Sequence, residues 1–271
     1  MPMADTFRIA TWNINSVRLR IGLVERFLKT YEPDVLCLQE TKCPDANFPF
    51  AAIRKTGYEH IAIRGQKGYH GVAIISRRPF LGEDRRQFCG MEDARHVSVD
   101  VDYAGKPLTI HNFYVPAGGD DPNPDKNPKF AHKLSFIEEM KGWLTGKKTA
   151  QPSILVGDLN IAPKEQDVWS HKQLLRVVSH TPVETDGLNA VQAAGPWVDA
   201  MRHFVPDDTP LFTWWSYRSP NWQQSNKGRR LDHVWVTPHL EPALKSMEVV
   251  KEARSWEKPS DHAPVIVDLA G

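Results

Sequence analysis

The order of apolar and polar positions divides the chain into strand-sized and helix-sized segments. Arg8 to Trp12 (RIATW) is a short apolar run of strand length. Beyond it Val17, Ile21, Val24, Leu28 and Tyr31 recur at spacings of four and three, which places them on one face of an amphipathic helix. Ser16 stands where it can cap that helix, and Pro33 lies just past its end. Val35 to Leu38 (VLCL) predicts a buried strand, so the chain opens as strand, helix, strand. Tyr58 to Arg64, Gly71 to Ser76, His96 to Val101 and Leu108 to Tyr114 are further strands separated by turn residues, and they predict an antiparallel sheet. Phe130, Leu134, Ile137, Met140 and Leu144 mark a second helix, and Ile154 to Val156 a third buried strand of the opening type. After Pro163 the pattern weakens into short helices and loops up to about Phe204. An aromatic-rich loop follows, then strands near Leu231 to Val236 and Val265 to Leu269. There is no repeat, and no linker-like stretch separates the halves. The expectation is one α/β domain over residues 1–271, with two packed sheets flanked by helices.

Composition narrows the function classes. Among 271 residues, 34 Lys and Arg stand against 33 Asp and Glu, a formal charge of +1. A polyanion or a membrane surface must therefore be met locally, because no global excess of one sign marks it. Hydrophobic residues at 41% and charged residues at 25% are ordinary for a soluble globular chain. Cys37, Cys43 and Cys89 are odd in number and form no CxxC pair, which argues against a disulfide framework or a thiolate zinc site and for a reducing compartment. The stretch MPMADTFRIATWN lacks a signal-peptide pattern, and no apolar run approaches the roughly 20 residues of a membrane span. A cytoplasmic protein without membrane contact is expected.

The informative regularity lies at strand ends. RIATW runs into Asn13, VLCLQ into Glu40, and ILVG into Asp158 and Asn160. Two later strands do the converse, with Asp232 just before HVWV and Asp261 and His262 just before APVIVDL. If the later strands run antiparallel to the earlier ones, all seven polar residues gather on one edge of the sandwich. An isolated Asp or Asn at a strand end is ordinarily a turn residue; the repetition is what points to a site. Carboxylates and amides with one His and no usable thiolate form a hard, oxygen-rich set that suits Mg²⁺ or Mn²⁺ better than Zn²⁺. The matching reaction is phosphate ester hydrolysis, with a carboxylate deprotonating water and a His kept protonated by a neighbouring carboxylate.

The segments TWNINSVR, LCLQETK, FYVP, GDLNIAP, RRLDHVWV and KPSDHAPV closely resemble the exonuclease III family of DNA repair nucleases, within the endonuclease/exonuclease/phosphatase superfamily. The motifs span residues 8 to 268 in the family's order, and with WWSYR they are specific to the exonuclease III branch. The resemblance implies a four-layered α/β sandwich, Mg²⁺ dependence with Mn²⁺ able to substitute, and action of a monomer on double-stranded DNA carrying abasic sites, nicks or blocked 3′ ends. It implies that Glu40 is the principal metal ligand with Asn13 and Asp261 nearby, and that Asp158 orients or deprotonates the attacking water. Asn160 would position that water or the phosphate. By the same resemblance Tyr114 hydrogen-bonds the scissile phosphate or assists the leaving group, and His262, held by Asp232, stabilises developing charge. Asp158, Asn160 and His262 are also candidate ligands of a second ion, so one-metal and two-metal schemes both stand.

Residues 212–230 (FTWWSYRSPNWQQSNKGRR) carry Arg218, Lys227, Arg229 and Arg230, no acid, and five aromatics. Basic groups meet phosphates and aromatic rings stack on displaced nucleotides, so this is the expected DNA-facing loop. Trp214 and Leu231 match family positions that line a small apolar pocket for a base-free sugar. Three positions depart from the family pattern: Arg229 replaces an apolar residue, Ala117 an Asn or Gln, and Asn15 an acidic residue. They leave hydrolysis in place and bear on abasic-site selectivity. The competing reading keeps the chemistry and changes the substrate to an inositol phosphate or a phospholipid.

Overall fold

The structure, a computed structural model, describes residues 6–145 and 151–271. The first five residues of the N-terminal stretch discussed above lie outside the described residues.

Its strands are β1 (Thr6–Asn13), β2 (Val35–Gln39), β3 (His60–Arg64), β4 (Val72–Ser76), β5 (Phe80–Asp84), β6 (His96–Tyr103) and β7 (Lys106–Tyr114). They continue as β8 (Ser153–Asp158), β9 (Val198–Asp199), β10 (Trp214–Trp215), β11 (Gly228–Arg229), β12 (Asp232–Val236), β13 (Leu244–Val249) and β14 (Val265–Ala270). Two six-stranded mixed sheets result, in the orders β13-β14-β1-β2-β4-β3 and β5-β6-β7-β8-β12-β9. Near the middle of each sheet lies one parallel pair, β1 with β2 and β7 with β8, and every other pairing is antiparallel. A parallel pair needs a long crossover. Helix Ile21–Tyr31 supplies it between β1 and β2, and helix Pro128–Thr145 between β7 and β8.

Three apolar clusters account for the layering. Ile9, Val35 and Ile74 of one sheet meet Val99, Ile110 and Val156 of the other in a core between the sheets. Trp12, Leu36 and Ile75 turn outward against Val24, Phe27 and Leu28 of the first helix. Phe113, Leu155 and Trp235 turn outward against Phe136, Ile137 and Met140. Period-two alternation along each strand gives each sheet two buried faces, and the result is helix, sheet, sheet, helix. A polar bolt crosses the inner core, where Gln39 Nε2 donates to Thr11 Oγ1 (2.9 Å) and to Asn112 Oδ1 (2.7 Å).

Several boundaries differ from the sequence reading. The first helix begins at Ile21, and Ser16 does not cap it; Arg20 occupies the cap and Ser16 sits at φ 86° in the preceding turn. The four middle strands do form antiparallel pairs, β3 with β4 and β6 with β7, but the pairs belong to different sheets. Pairing is local, whereas the turn between β4 and β5 carries the chain from one sheet to the other. The edge strands β5 and β13 were not anticipated, because each is half-exposed or more and carries mixed polarity (FLGED, LKSMEV). Helix Pro182–Ala194 lies inside the segment read as short helices and loops, and Thr181 with Glu184 forms its capping box.

Candidate active site

The antiparallel condition is met. β14 runs antiparallel to β1, and β12 to β8 with Asp232 directly opposite Asp158. Strand ends and strand starts therefore share one edge of the sandwich. Asn13 Nδ2 donates to Glu40 Oε1 (2.9 Å) and to Asp158 Oδ2 (2.8 Å), which links the two sheets. Tyr114 donates its hydroxyl to the same Glu40 oxygen at 2.9 Å. Asn160 donates through its backbone N–H to Asp158 Oδ1 (2.9 Å) and through Nδ2 to Val115 O (2.8 Å). The glycine of GDLN is required by geometry. Gly157 has φ +139°, and a Cβ there would stand 1.9 Å from the Phe113 carbonyl oxygen.

His262 is almost fully buried, and its Nδ1 lies 2.8 Å from Asp232 Oδ2. Its Nε2 lies 3.7 Å from Asp158 Oδ2, beyond a hydrogen bond, so that N–H remains free for an incoming acceptor. Burial disfavours the imidazolium, yet Asp232 and Asp158 outweigh it and lift the His262 pKa to about 10. Burial is also the main effect on Asp158, pushing its carboxyl up to about 7 with further repulsion from Asp232 and Glu40, against the pull of His262 and Asn13. Glu40 goes the other way. Burial opposes ionisation, but the Lys42 ammonium, 2.8 Å from Oε2, and Asn13 hold the carboxyl below its usual range. Burial and the Glu40 and Asp158 charges raise the Tyr114 hydroxyl well above its ordinary value, so it is a donor at neutral pH.

An oxygen-rich metal site fits these residues. Glu40 is ionised, and its Oε2 already faces a cation, the Lys42 ammonium, which reaches Asn15 Oδ1 as well. Asn15 in turn donates to Asn13 Oδ1 and Asp261 Oδ1, tying three oxygen donors into one group. Ligand atoms of Asp158, Asp232 and His262 also lie within 4.8 Å of one another. Of these, Asp232 Oδ2 is committed to His262 and to the Thr213 hydroxyl (2.6 Å), while Asp232 Oδ1 is buried without a partner.

Beside this group opens a cleft of about 850 Å³, lined by Trp169, Trp214, Leu231, Arg218, Lys227 and Arg229. A second cleft of about 650 Å³ is walled by Tyr69, Met91 and His132, and both clefts are lined by Glu40, Ala117 and Gly119. Trp214 Nε1 donates to Asp261 Oδ2 (2.9 Å), and the Arg229 guanidinium lies 5.3 Å over the Trp214 ring while donating to Val178 O and Ser179 Oγ.

Arg230 is a correction. It is fully buried, and its guanidinium is engaged by Asp167 (2.8 Å) and Asp199 (2.6 Å), so it holds the core and is not open to a phosphate. Its neighbours Arg218 and Lys227 are exposed. Among the loop tryptophans, Trp215 is also buried, packed against Trp222, and Trp169 from outside the loop takes the place beside Trp214. Sequence reasoning missed Trp169, Thr213 and Ser260. The Thr213 hydroxyl accepts from the backbone N–H of Leu231 and Asp232 (3.1 Å each), and Ser260 Oγ donates to Asn13 O at 2.6 Å. Both lie inside the segments FTWWSYR and KPSDHAPV, but the partner that a Thr or Ser hydroxyl takes leaves no signal in the sequence.

A family model described as the endonuclease/exonuclease/phosphatase family matches residues 10–262, which include every residue of this edge. The chain belongs to that family. Exodeoxyribonuclease III of Haemophilus influenzae is 31% identical over 267 residues, covering 95% of this chain and 98% of that protein. This likeness, with the motifs, places the chain in the exonuclease III branch. The DNA repair nuclease APEX1 of Danio rerio is 28% identical, covering 98% of this chain and 83% of its own. Among solved structures, the 3′ phosphatase NExo from Neisseria bound to a product DNA hairpin superposes with a TM-score of 0.88 at 30% identity, covering 97% of this chain and 99% of its own. An AP endonuclease from Archaeoglobus fulgidus superposes with a TM-score of 0.87 at 30% identity, covering 96% and 98%. Two mixed sheets flanked by helices are thus the family's architecture as well as this chain's.

Proposed function

We propose that this protein is a Mg²⁺-dependent DNA repair nuclease that hydrolyses phosphate esters of duplex DNA. Its actions are those of a 3′–5′ exonuclease, a 3′-phosphatase or 3′-phosphodiesterase, and an abasic-site endonuclease. The observation that carries the reading is the meeting of two clefts at Glu40, beside the Asp158, Asp232 and His262 group. A polymer can run through such a groove with its phosphate at the junction, whereas a small phosphate ester needs only one cleft. The names of the relatives, two of them nucleases of DNA and one solved on a DNA product, support the same substrate.

Glu40, with Asn13 and Asp261, would hold the metal. Bound there, Mg²⁺ offsets charge on the phosphoryl oxygens and the departing oxygen. Asp158 accepts the proton of the attacking water, its acceptor oxygens oriented by Asn13 and Asn160. His262 Nε2 donates to a phosphoryl oxygen as charge develops, with Asp232 keeping the ring protonated and aimed. Tyr114, a donor held on Glu40, shifts its hydrogen bond to the phosphate or the leaving oxygen. Arg218 and Lys227 meet backbone phosphates, and Trp214 and Leu231 receive the terminal or base-free sugar.

Rates on a nicked duplex, a 3′-phosphate end, an abasic-site duplex and an inositol phosphate, each with Mg²⁺ and with EDTA, test the reading. DNA cleavage that EDTA abolishes is expected; EDTA-insensitive cleavage or a preference for inositol phosphate overturns it. Arg229 adds a charged wall to the sugar cleft. Its replacement by Leu is expected to raise abasic-site cleavage relative to exonuclease action by about 10-fold, because apolar contacts discriminate at that scale. An unchanged ratio of the two rates removes Arg229 from the account of selectivity.

A further inference from the structure

Beneath the site lies an ion pair that the chemistry above does not use. Lys133 and Glu184 are both fully buried and bonded to each other. Lys133 Nζ also donates to the carbonyl oxygens of Asn160 (2.8 Å) and Ala117 (3.3 Å). Both Glu184 oxygens accept from the Ser179 N–H at 2.9 Å, and Oε2 takes the Thr181 N–H (3.2 Å) and hydroxyl (2.6 Å). Two of the gripped residues share an unusual backbone. Asn160 has φ 53° and Ser179 has φ 88°, left-handed conformations that cost a non-glycine residue energy and persist only where the surroundings enforce them.

The two gripped segments also touch. Ala162 N donates to Ser179 O at 2.8 Å, and the Ser179 hydroxyl accepts from Arg229 at 2.8 Å. Gly118 closes the arrangement: at φ +90°, a Cβ there would stand 2.9 Å from Lys133 Cδ and 3.0 Å from Val178 Cγ1. Asn160 orients Asp158, and Val177, Val178 and Ser179 wall the sugar cleft. A buried ion pair is weak evidence for added stability, since apolar replacements of similar volume often do as well. Its distinctive property here is position, between the reacting edge and the cleft wall.

We propose that Lys133 and Glu184 are positioning residues that hold the Asn160 turn and the 177–181 wall in register, so that the water-orienting group and the sugar cleft are set by one buried contact. This rests on the nuclease reading for what the register serves, but the contact itself can be tested without substrate. In the double variant Lys133→Met with Glu184→Gln, Met keeps the apolar stem of Lys without its ammonium and Gln keeps the capping box, while the link is lost. Amide hydrogen exchange followed in peptides covering 158–163 and 177–182 is expected to quicken in both segments together, with exchange elsewhere unchanged. On nicked duplex with Mg²⁺, at a temperature well below unfolding, kcat is expected to fall about 10- to 100-fold with KM changed less than about 3-fold, the scale of a small misplacement of reacting groups. The single variant Glu184→Gln keeps one carbonyl oxygen for the Ser179 and Thr181 donors but turns its amide NH2 toward Lys133 and leaves that buried cation without its counter-charge, so it is expected to show the same pattern at no smaller amplitude. Wild-type protection in either segment, or wild-type kcat in the folded double variant, overturns the proposal. A wild-type protein inactive on DNA overturns the nuclease reading and leaves the exchange result to decide the positioning role.

Discussion

Asp158→Asn is expected to lower the Mg²⁺-dependent rate on duplex DNA by about 10²- to 10⁴-fold, the usual contribution of a general base. The same substitution is expected not to weaken the fold at neutral pH. Burial raises the folded-state pKa of Asp158 to about 7, above its ordinary 3.8, so the folded protein holds that proton more tightly than the unfolded chain does. Stability from this group is present below about pH 4 and is lost as pH rises toward 7, because an ionised buried carboxylate is disfavoured. Without metal, the Asn variant should therefore be at least as stable as the wild type at pH 8, with the difference shrinking toward pH 4. Added Mg²⁺ should then stabilise the wild type by mass action. Denaturant unfolding at several pH values in EDTA, beside single-turnover cleavage, checks both halves. Full activity in the variant would remove Asp158 from the reaction.

Asp232→Asn is expected to act with the opposite sign. His262 is lifted to about 10 against the opposition of burial, chiefly by Asp232. Its contribution is fully present below the unfolded value near 6.5 and is lost as pH rises through 10. Removing Asp232 leaves a buried imidazolium without its partner, which costs about 3 to 5 kcal/mol where the ring is charged. The penalty should be largest at pH 6 and smallest near pH 10. Loss of the aimed donor should lower kcat by about 10²- to 10³-fold, and the alkaline limb of the kcat/KM profile should move toward neutrality. A profile whose alkaline limb stays in place would show that His262 does not donate from its protonated form. Together the two substitutions separate base from donor, since one relieves a buried charge and the other creates an unpaired one.

The edge proposed to carry the chemistry was legible because its residues sit at strand ends inside recognisable motifs. Asn13, Glu40, Tyr114, Asp158, Asn160, Asp232 and His262 are brought together through a connected set of short contacts, and Asp261 joins them through Asn15. The cleft was legible only in part. Arg229 and Arg230 are adjacent and chemically identical in the sequence, yet strand alternation sends one toward the cleft and the other into the core against Asp167 and Asp199. Trp169 could not be found from its surroundings because it reaches the site across a loop whose course is set by Trp169 N donating to Gly228 O.

Local periodicity and motif chemistry were therefore enough to determine the main strands, the two crossover helices and the acidic edge, since each depends on residues close together in the chain or on a recurring pattern. Which sheet each hairpin joins, which of two arginines faces the cleft, and how Lys133 and Glu184 span 51 residues to grip the turn and the wall were decided by tertiary packing alone. The physical reason is that burial and partner choice belong to the assembled core. A charged side chain placed there must find its counter-charge wherever the fold delivers one.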